Sequence, residues 1–533
     1  MAYPQVIIPP SVKPVSPMEF GPVDEQTVNF QPRFGRGTTQ RQTWGDPIWS
    51  AQVRFESLSG ADRALVKAAI MGARGGASNI LLTPGIPIRG SFPATELLTN
   101  NDFSNGTTGY SAASDSSVAV TDKVLRVTRT GPNADNAYAR ITGVSNQVQY
   151  APYALRAFVS QVVGSENPGV SGTSNTQAVG SAGTIFNVST TAGYRRLALL
   201  STATTAPVLY LDNITPTGYI AGNYYDVSWC SYARCILADG GANALTYSDQ
   251  IDNAAWIKGA CTVTANSHTA PDGTVTVEKI IEDTSTGSHY VYRVDGSRAS
   301  AAADLCAYGV FGPSVLDRDV RFLVSGDASF AHYAEVTLDV SAGTLSGLGV
   351  TGSATNARAF VKSMGSGYYA VWIVARMPTG TAVATQINLV NGGSTSYTGT
   401  TGAIAVWRWG ACVSSVPVRL TQTVSAAVAS GTSQTGSTIY VKGLPVSTSG
   451  LLLAGDYFEI NGELKQCTAS LDSDAAGLGV LRFAPGLAVA AADNDPIIVN
   501  NPFGTFRLAS DPRITERFGV YTDVDLQLIE ATA

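Results

Sequence analysis

Two strongly amphipathic strands stand at opposite ends of this chain without a local partner, and any fold must satisfy both. Near the start, Trp49, Ala51, Val53 and Phe55 alternate with Ser50, Gln52, Arg54 and Glu56. Near the end, Val520, Thr522, Val524, Leu526 and Leu528 alternate with Tyr521, Asp523, Asp525 and Gln527. Period-two alternation is the mark of a strand with one face buried and one face wet. A lone strand leaves its backbone groups unpaired, so the simplest solution sets these two in one domain. After the first strand, Ser59 followed by Asp62 reads as a helix N-cap with an acidic variant of the capping box. Leu65, Val66, Ala69, Ile70 and Ala73 then fall on one helical stripe, which stops at Gly75-Gly76. Ile80 to Leu82 opens another strand, and PFGTFRLA (502–509) supplies one more. Residues 5–47, punctuated by Pro and Arg and containing PRFGRGTTQRQTWGDP, read as a long arm or loop. The expectation is a discontinuous domain of residues 1–95 and 501–533, with everything between them inserted.

The insertion carries a duplication. LLTNNDFSN (97–105) recurs as ALTYSDQIDN (244–253), and GYRRLALLSTA (193–203) recurs as GYYAVWIVARM (367–377). Each block closes on a Trp-containing strand with a Cys, YYDVSWCSY (224–232) and VWRWGAC (406–412). The matches keep their order, and each block is domain-sized, so two tandem domains are expected, 96–238 and 239–415. Residues 416–500 differ again. Ser437 to Val441, LLLAGDYFEING around a Gly455-Asp456 turn, GVLRFAPGL and PIIVNN give short, evenly spaced strands that suggest a small barrel. Composition agrees with a mostly all-β chain: 14% of residues are charged, 54 are Gly, and β-branched and turn-forming residues abound.

Several functional classes lose support at this level. The net charge of -6 gives no global attraction to nucleic acid or anionic membrane. Arg33, Arg36 and Arg41, with Trp44 close behind, could suit nucleic acid. With 40 acidic against 34 basic residues, pairing with a neighbouring subunit's carboxylates is the better reading, and no specific nucleic acid is expected. No apolar run reaches the ~20 residues of a membrane span, and MAYPQVIIPP lacks the regions of a signal peptide. The protein is therefore expected to be soluble, made in a cytosol, and exported, if at all, by cell lysis. Cys230, Cys235, Cys261, Cys306, Cys412 and Cys467 read as buried reduced thiols, because only the first two are close and no histidine accompanies them. His268, His289 and His332 belong to no catalytic motif, and His289, between strand residues, reads as a strand-surface side chain. Asp272-Gly273 and Asp102 read as turn formers, with a structural calcium ion as the alternative. No catalytic, cofactor or metal residues are assigned, and the chain is not expected to be an enzyme. For glycan stacking the candidates are Trp256, Tyr290, Tyr292 and Tyr110, since sugar rings lay their C–H faces on exposed aromatic rings. Trp372, in YYAVWIV, reads as core, and Trp256 more as core than as platform.

Two resemblances sharpen this picture. LTYSDQIDNAAWIKGACTVTANSHTAPDGTVTVEKI resembles the opening of carbohydrate-binding-module-like jelly-roll domains that occur in many phage tail proteins, and LLTNNDFSNGTTGY looks like a more divergent copy. The outer segments, 1–95 and 416–533, resemble distal tail proteins of siphophages, above all in AGDYFEINGELKQC, LRFAPGL and FGTFRLAS. The resemblance implies a tail-tube-like β-sandwich with one helix, two inserted jelly-roll β-sandwiches and a small C-terminal β-barrel. It also implies a structural protein of the virion tail tip, assembled in the host cytoplasm. Its partners would be copies of itself in a ring, a hexamer by analogy, with the tail tube protein and the tail hub or tip proteins. The alternative function is a glycan-binding receptor-recognition protein of the tail, which would contact a host surface glycan and be trimeric. A polysaccharide depolymerase is disfavoured, because no acidic pair sits in a recognisable motif.

Overall fold

In the computed structural model the strand Ile48–Leu58 lies antiparallel beside Tyr521–Glu530, with Ala51, Val53 and Phe55 opposite Leu528, Leu526 and Val524. The structure describes residues 5–8, 10, 19–23, 27–30, 40–43, 48–58, 60–73, 79–84, 87–131, 138–142, 144, 146–173, 176–178, 187–189, 191–201, 207–213, 220–296, 298, 300–313, 318–420, 432–517 and 521–531. Around that central pair a seven-stranded sheet runs in the order Gln5–Ile7, Asn79–Leu82, Gly504–Leu508, Tyr521–Glu530, Ile48–Leu58, Glu19–Val23, with Arg513–Arg517 also on Tyr521–Glu530. The helix Gly60–Ala73 buries Val66, Ala69, Ile70 and Ala73 against the apolar face. The opposite face keeps Gln52, Arg54 and Gln527 exposed. Asp62, in the first helical turn, pairs with Lys123 of the next domain at 2.7 Å. Ser59, Gly75 and Gly76, expected to bound the helix, lie outside the described residues, as do Arg33, Arg36 and Trp44 of the basic arm.

The fold is mostly β, and the duplication is visible in the connectivity of its two β-sandwiches. In the first, one sheet runs Thr176–Ala178, Gly193–Ser201, Pro152–Val163, Tyr224–Arg234, Val124–Arg129, Ser116–Thr121. In the second, the matching sheet runs Thr355–Gly365, Tyr368–Met377, Ala303–Gly312, Ala403–Val413, Val275–Glu282, Cys261–Thr269. In both, the Gly-Tyr strand and the Trp-bearing strand flank the same central strand. Each sandwich closes over its own core, around Leu155, Val159 and Tyr225 in the first, and around Trp256, Phe311, Phe322 and Trp409 in the second.

The small barrel is closed and six-stranded, formed by Ile236–Ala238, Gln434–Lys442, Gly479–Ala491, Glu463–Cys467, Tyr457–Ile460 and Pro496–Ile498. Its first stave comes from the passage between the two sandwiches, not from 416–500: Leu237 pairs with Lys442, and Ile236 with Ile497. The barrel is thus the junction through which the chain enters and leaves the second sandwich. Lys442, completely buried, reaches Asp493 at 2.5 Å and Asp239 at 4.0 Å, while Asp239 accepts the Arg419 amide at 3.0 Å. A buried cation is tolerable only with such partners. On the other side Phe158 and Trp229 of the first sandwich pack on Ile7, Leu81 and Phe503. Among the described residues no helix is long and apolar enough to cross a membrane.

Candidate functional site

The second sandwich carries a polar cleft of about 600 Å³ on one of its sheets, within the ~300–1,000 Å³ typical of small-ligand sites. Thr276 and Glu278 line it from the strand Val275–Glu282, with Thr274 just before it; Asp249, Gln250, Asp252 and Asn253 form a wall from the preceding loop. Trp407 and Arg408 complete it from the neighbouring strand. Consecutive strand residues normally face opposite ways. Here Arg408 pairs with Val310 and Val406 with Phe311, so Trp407 is the extra residue of a β-bulge, and both side chains reach the cleft. The Arg408 guanidinium lies 4.0 Å above the Trp407 ring, and the Trp407 indole N–H donates to Thr276 at 3.2 Å.

Glu278 holds the wall in place. Its carboxyl accepts the Asp252 amide at 3.0 Å, and Lys258 caps the same loop by donating to the carbonyls of Asp252, Asn253 and Trp256. Burial, reinforced by the neighbouring Asp252 charge, pushes the Glu278 carboxyl up to about 8. Glu282, four residues on, goes the other way. Burial alone would raise it, but the Arg318 guanidinium, the Thr400 and Gly402 amides and the Tyr397 hydroxyl together bring it down to about 2. The two have opposite consequences for stability. Glu282 binds fewer protons folded than unfolded, so its contribution is complete above the ordinary 4.5 and disappears as pH falls toward 2. Glu278 keeps its proton when folded, so its contribution is complete below 4.5 and disappears as pH rises toward 8. The combined contribution of these two groups to the second sandwich is therefore greatest near pH 4.5. Pulse proteolysis in urea across pH 3–9 checks this, and Glu278→Gln should flatten the decline between pH 5 and 8. An unchanged slope in that variant would remove Glu278 as its cause.

The candidate aromatic platforms do not meet at this cleft. Trp256 is 2% exposed, its ring 4.3 Å from Trp409 and its indole N–H donating to the Tyr247 carbonyl at 2.8 Å. Tyr110 is buried in the first sandwich, its hydroxyl donating to the Asn100 carbonyl at 3.0 Å and lying 2.8 Å from Cys230 Sγ. Tyr290 and Tyr292 do come together, half-buried on one strand with rings 6.0 Å apart, and Phe330 meets Tyr292 edge-on at 5.6 Å. Trp372 is core, donating to the Val418 carbonyl at 3.0 Å. His289 is not on the strand surface: it is fully buried beneath Tyr397, with its ring nitrogens 2.9 and 3.4 Å from the carbonyls of Ala260 and Tyr397. The short two-stranded sheet of Thr286–Ser288 with Ser396–Thr398 brings Tyr397 over it, a long-range pairing that local alternation cannot reveal.

Asp272 and Asp102 both close turns onto nearby residues. Asp272 accepts the amide and hydroxyl of Thr274, at 3.0 and 2.6 Å, and these bonds hold its carboxyl below the usual range. Asp102 likewise accepts the amide and hydroxyl of Ser104, at 3.2 and 2.7 Å. Among the described residues no group of three His, Cys, Asp or Glu side chains is arranged to hold a metal ion. What the cleft offers is recognition chemistry: carboxylates, amides and hydroxyls that can accept from hydroxyl or amino groups, beside one guanidinium held over an indole. The sequence signal for it was the polar alternation of Thr274, Thr276 and Glu278. The bulge and the folded-back loop that complete it were not readable.

No protein-family model matches this chain, and no curated protein matches it. Among solved structures, the N-terminal CBM22-1-CBM22-2 tandem domain from Paenibacillus barcinonensis Xyn10C aligns with 61% of this chain and 99% of its own length, at 12% identity and a TM-score of 0.20. A superposition that loose fixes neither fold nor ligand.

Proposed function

We propose that this chain is a structural component of a tailed-phage tail tip. Its terminal sheet-and-helix domain would pack head to tail with copies of itself into a ring that joins the tail tube protein to the hub or tip proteins, and the two sandwiches would sit at the periphery. The reading assigns the chain no catalysis. The observation that carries it is the single sheet built from both chain ends, with Ile48–Leu58 beside Tyr521–Glu530 and both sandwiches inserted between them. Such a domain can acquire large attachments without losing a strand, and among the described residues the sheet also carries polar side chains of mixed charge. Arg54 and Arg513 stand there with Asp523 and Asp525, which suits a heterologous contact between unlike surfaces of neighbouring copies. The resemblance of residues 1–95 and 416–533 to distal tail proteins points the same way.

The test is the native mass of the purified full-length chain. A closed ring of 55.4 kDa protomers, six by analogy, is the expected result. A species that stays monomeric or trimeric at micromolar concentration would sink the ring.

A further inference from the structure

Two of the six cysteines lie directly across from each other. Cys306, on the central strand Ala303–Gly312, is the register partner of Cys412 on Ala403–Val413. Both side chains join the same buried cluster on the barrel-facing side of that sheet. Directly opposed residues in an antiparallel pair have Cα atoms about 4.5–5.5 Å apart, inside the ~4.4–6.8 Å range of disulfides. The register alone thus brings them within the separation that a disulfide spans. The arrangement belongs to the second sandwich alone: in the first, the cysteine on the corresponding strand, Cys230, faces Ala157. All six thiols are free.

We propose that Cys306 and Cys412 are a modification site, forming a cross-strand disulfide when the protein meets a peroxide. One thiolate attacks hydrogen peroxide, the O–O bond breaks, and a sulfenic acid and water result once the released hydroxide takes up a proton. The second sulfur then attacks the sulfenic sulfur; the S–S bond forms, the S–O bond breaks, and a second water leaves. Two thiols and one peroxide become one disulfide and two waters. The neighbouring Cys306 thiol and then burial hold the Cys412 thiol well above its ordinary range, so the reaction is slow and paced by opening of the sheet. The bond would link two adjacent strands on the face where Val418 and Leu420 dock the chain on its way back to the barrel. A protein made in a reducing compartment and released into an oxidising one would then fasten its second sandwich after release.

The experiment treats the folded full-length protein with hydrogen peroxide, then unfolds it and counts thiols. The expected result is a fall from six titratable thiols to four, a mass lower by two hydrogens, and one linked peptide pair containing Cys306 and Cys412. The melting temperature of the second sandwich should rise by roughly 5–10 °C and return on reduction. Cys306→Ala and Cys412→Ala should each abolish the mass loss. Cys261→Ser, which removes the least buried thiol, should leave it intact, so the test stands even if a core variant folds poorly. Six thiols surviving treatment, oxygen addition without linkage, or a link between any other pair would overturn the proposal.

Discussion

Replacing Trp256 by alanine is expected to destabilise the second sandwich by about 3–5 kcal/mol, the range for deleting a large buried aromatic side chain. The side chain fills the core between the two sheets, against Trp409, and its indole N–H satisfies the Tyr247 carbonyl in the loop that precedes it. Truncation would open a cavity and leave that carbonyl without its donor, two costs that act together. Pulse proteolysis should show fragments of the second sandwich released at lower urea, with the terminal sheet unaffected. Trp256→Phe should recover part of the loss, because it restores volume but not the donor. A different outcome would favour the alternative function. If Trp256→Ala remains as stable as the parent and loses binding on a glycan array, the ring is a sugar platform and the sandwich recognises carbohydrate. The cleft beside Thr276 and Arg408 is the feature that keeps this alternative worth the array, since its side chains suit hydroxyl-rich ligands.

What could be read in advance followed the range over which the physics acts. Val53 and Leu526 declared themselves by alternation, because a strand with one wet face writes its burial into its own sequence. The helix stripe of Val66, Ala69 and Ile70 did the same at its own period. Ile236–Ala238 did not. Three consecutive buried residues carry no periodicity, and their partners, Lys442 and Ile497 among them, lie more than two hundred positions away on strands that must already be curved into a barrel. His289 went wrong for a related reason: its neighbours Tyr290 and Tyr292 are half-exposed, and a strand from far along the chain, Ser396–Thr398, covers it with Tyr397. The cleft falls between these cases. Thr276 and Glu278 alternate with buried Val277, a pattern one strand can carry, but a site needs the opposing wall, and that depends on Glu278 pulling in a loop from 26 positions upstream. Cys306 and Cys412 are unremarkable in sequence and become a pair only through register.

The same distinction between local and assembled interactions sets the second large effect. Glu459, on the barrel strand Tyr457–Ile460, is completely buried where the barrel, the first sandwich and the strand leading to the terminal sheet converge. It accepts the Phe503 amide at 3.0 Å and the Tyr194 hydroxyl at 3.4 Å, and lies 3.4 Å from Arg196 and 3.9 Å from Arg156. Arg156, equally buried, donates to the carbonyls of Asn500 and Asn501 and to Ser231, with its guanidinium 4.9 Å above the Trp229 ring. Removing the carboxylate in Glu459→Ala would leave that guanidinium buried without its counter-charge, which typically costs about 3–5 kcal/mol. An exposed pair such as Arg54 with Glu56 should cost no more than about 1 kcal/mol when broken. Hydrogen exchange separates a junction role from ordinary core damage. If Glu459 fastens the first sandwich to the barrel, Glu459→Ala should lose protection in Tyr457–Ile460 and Pro152–Val163 together while Ala303–Gly312 keeps its own. Replacing Arg156 with Met in the same chain should return part of the stability, because the stranded charge is then gone. Equal loss of protection in both sandwiches would mean that the barrel itself had failed, and that the junction is held by its apolar contacts alone.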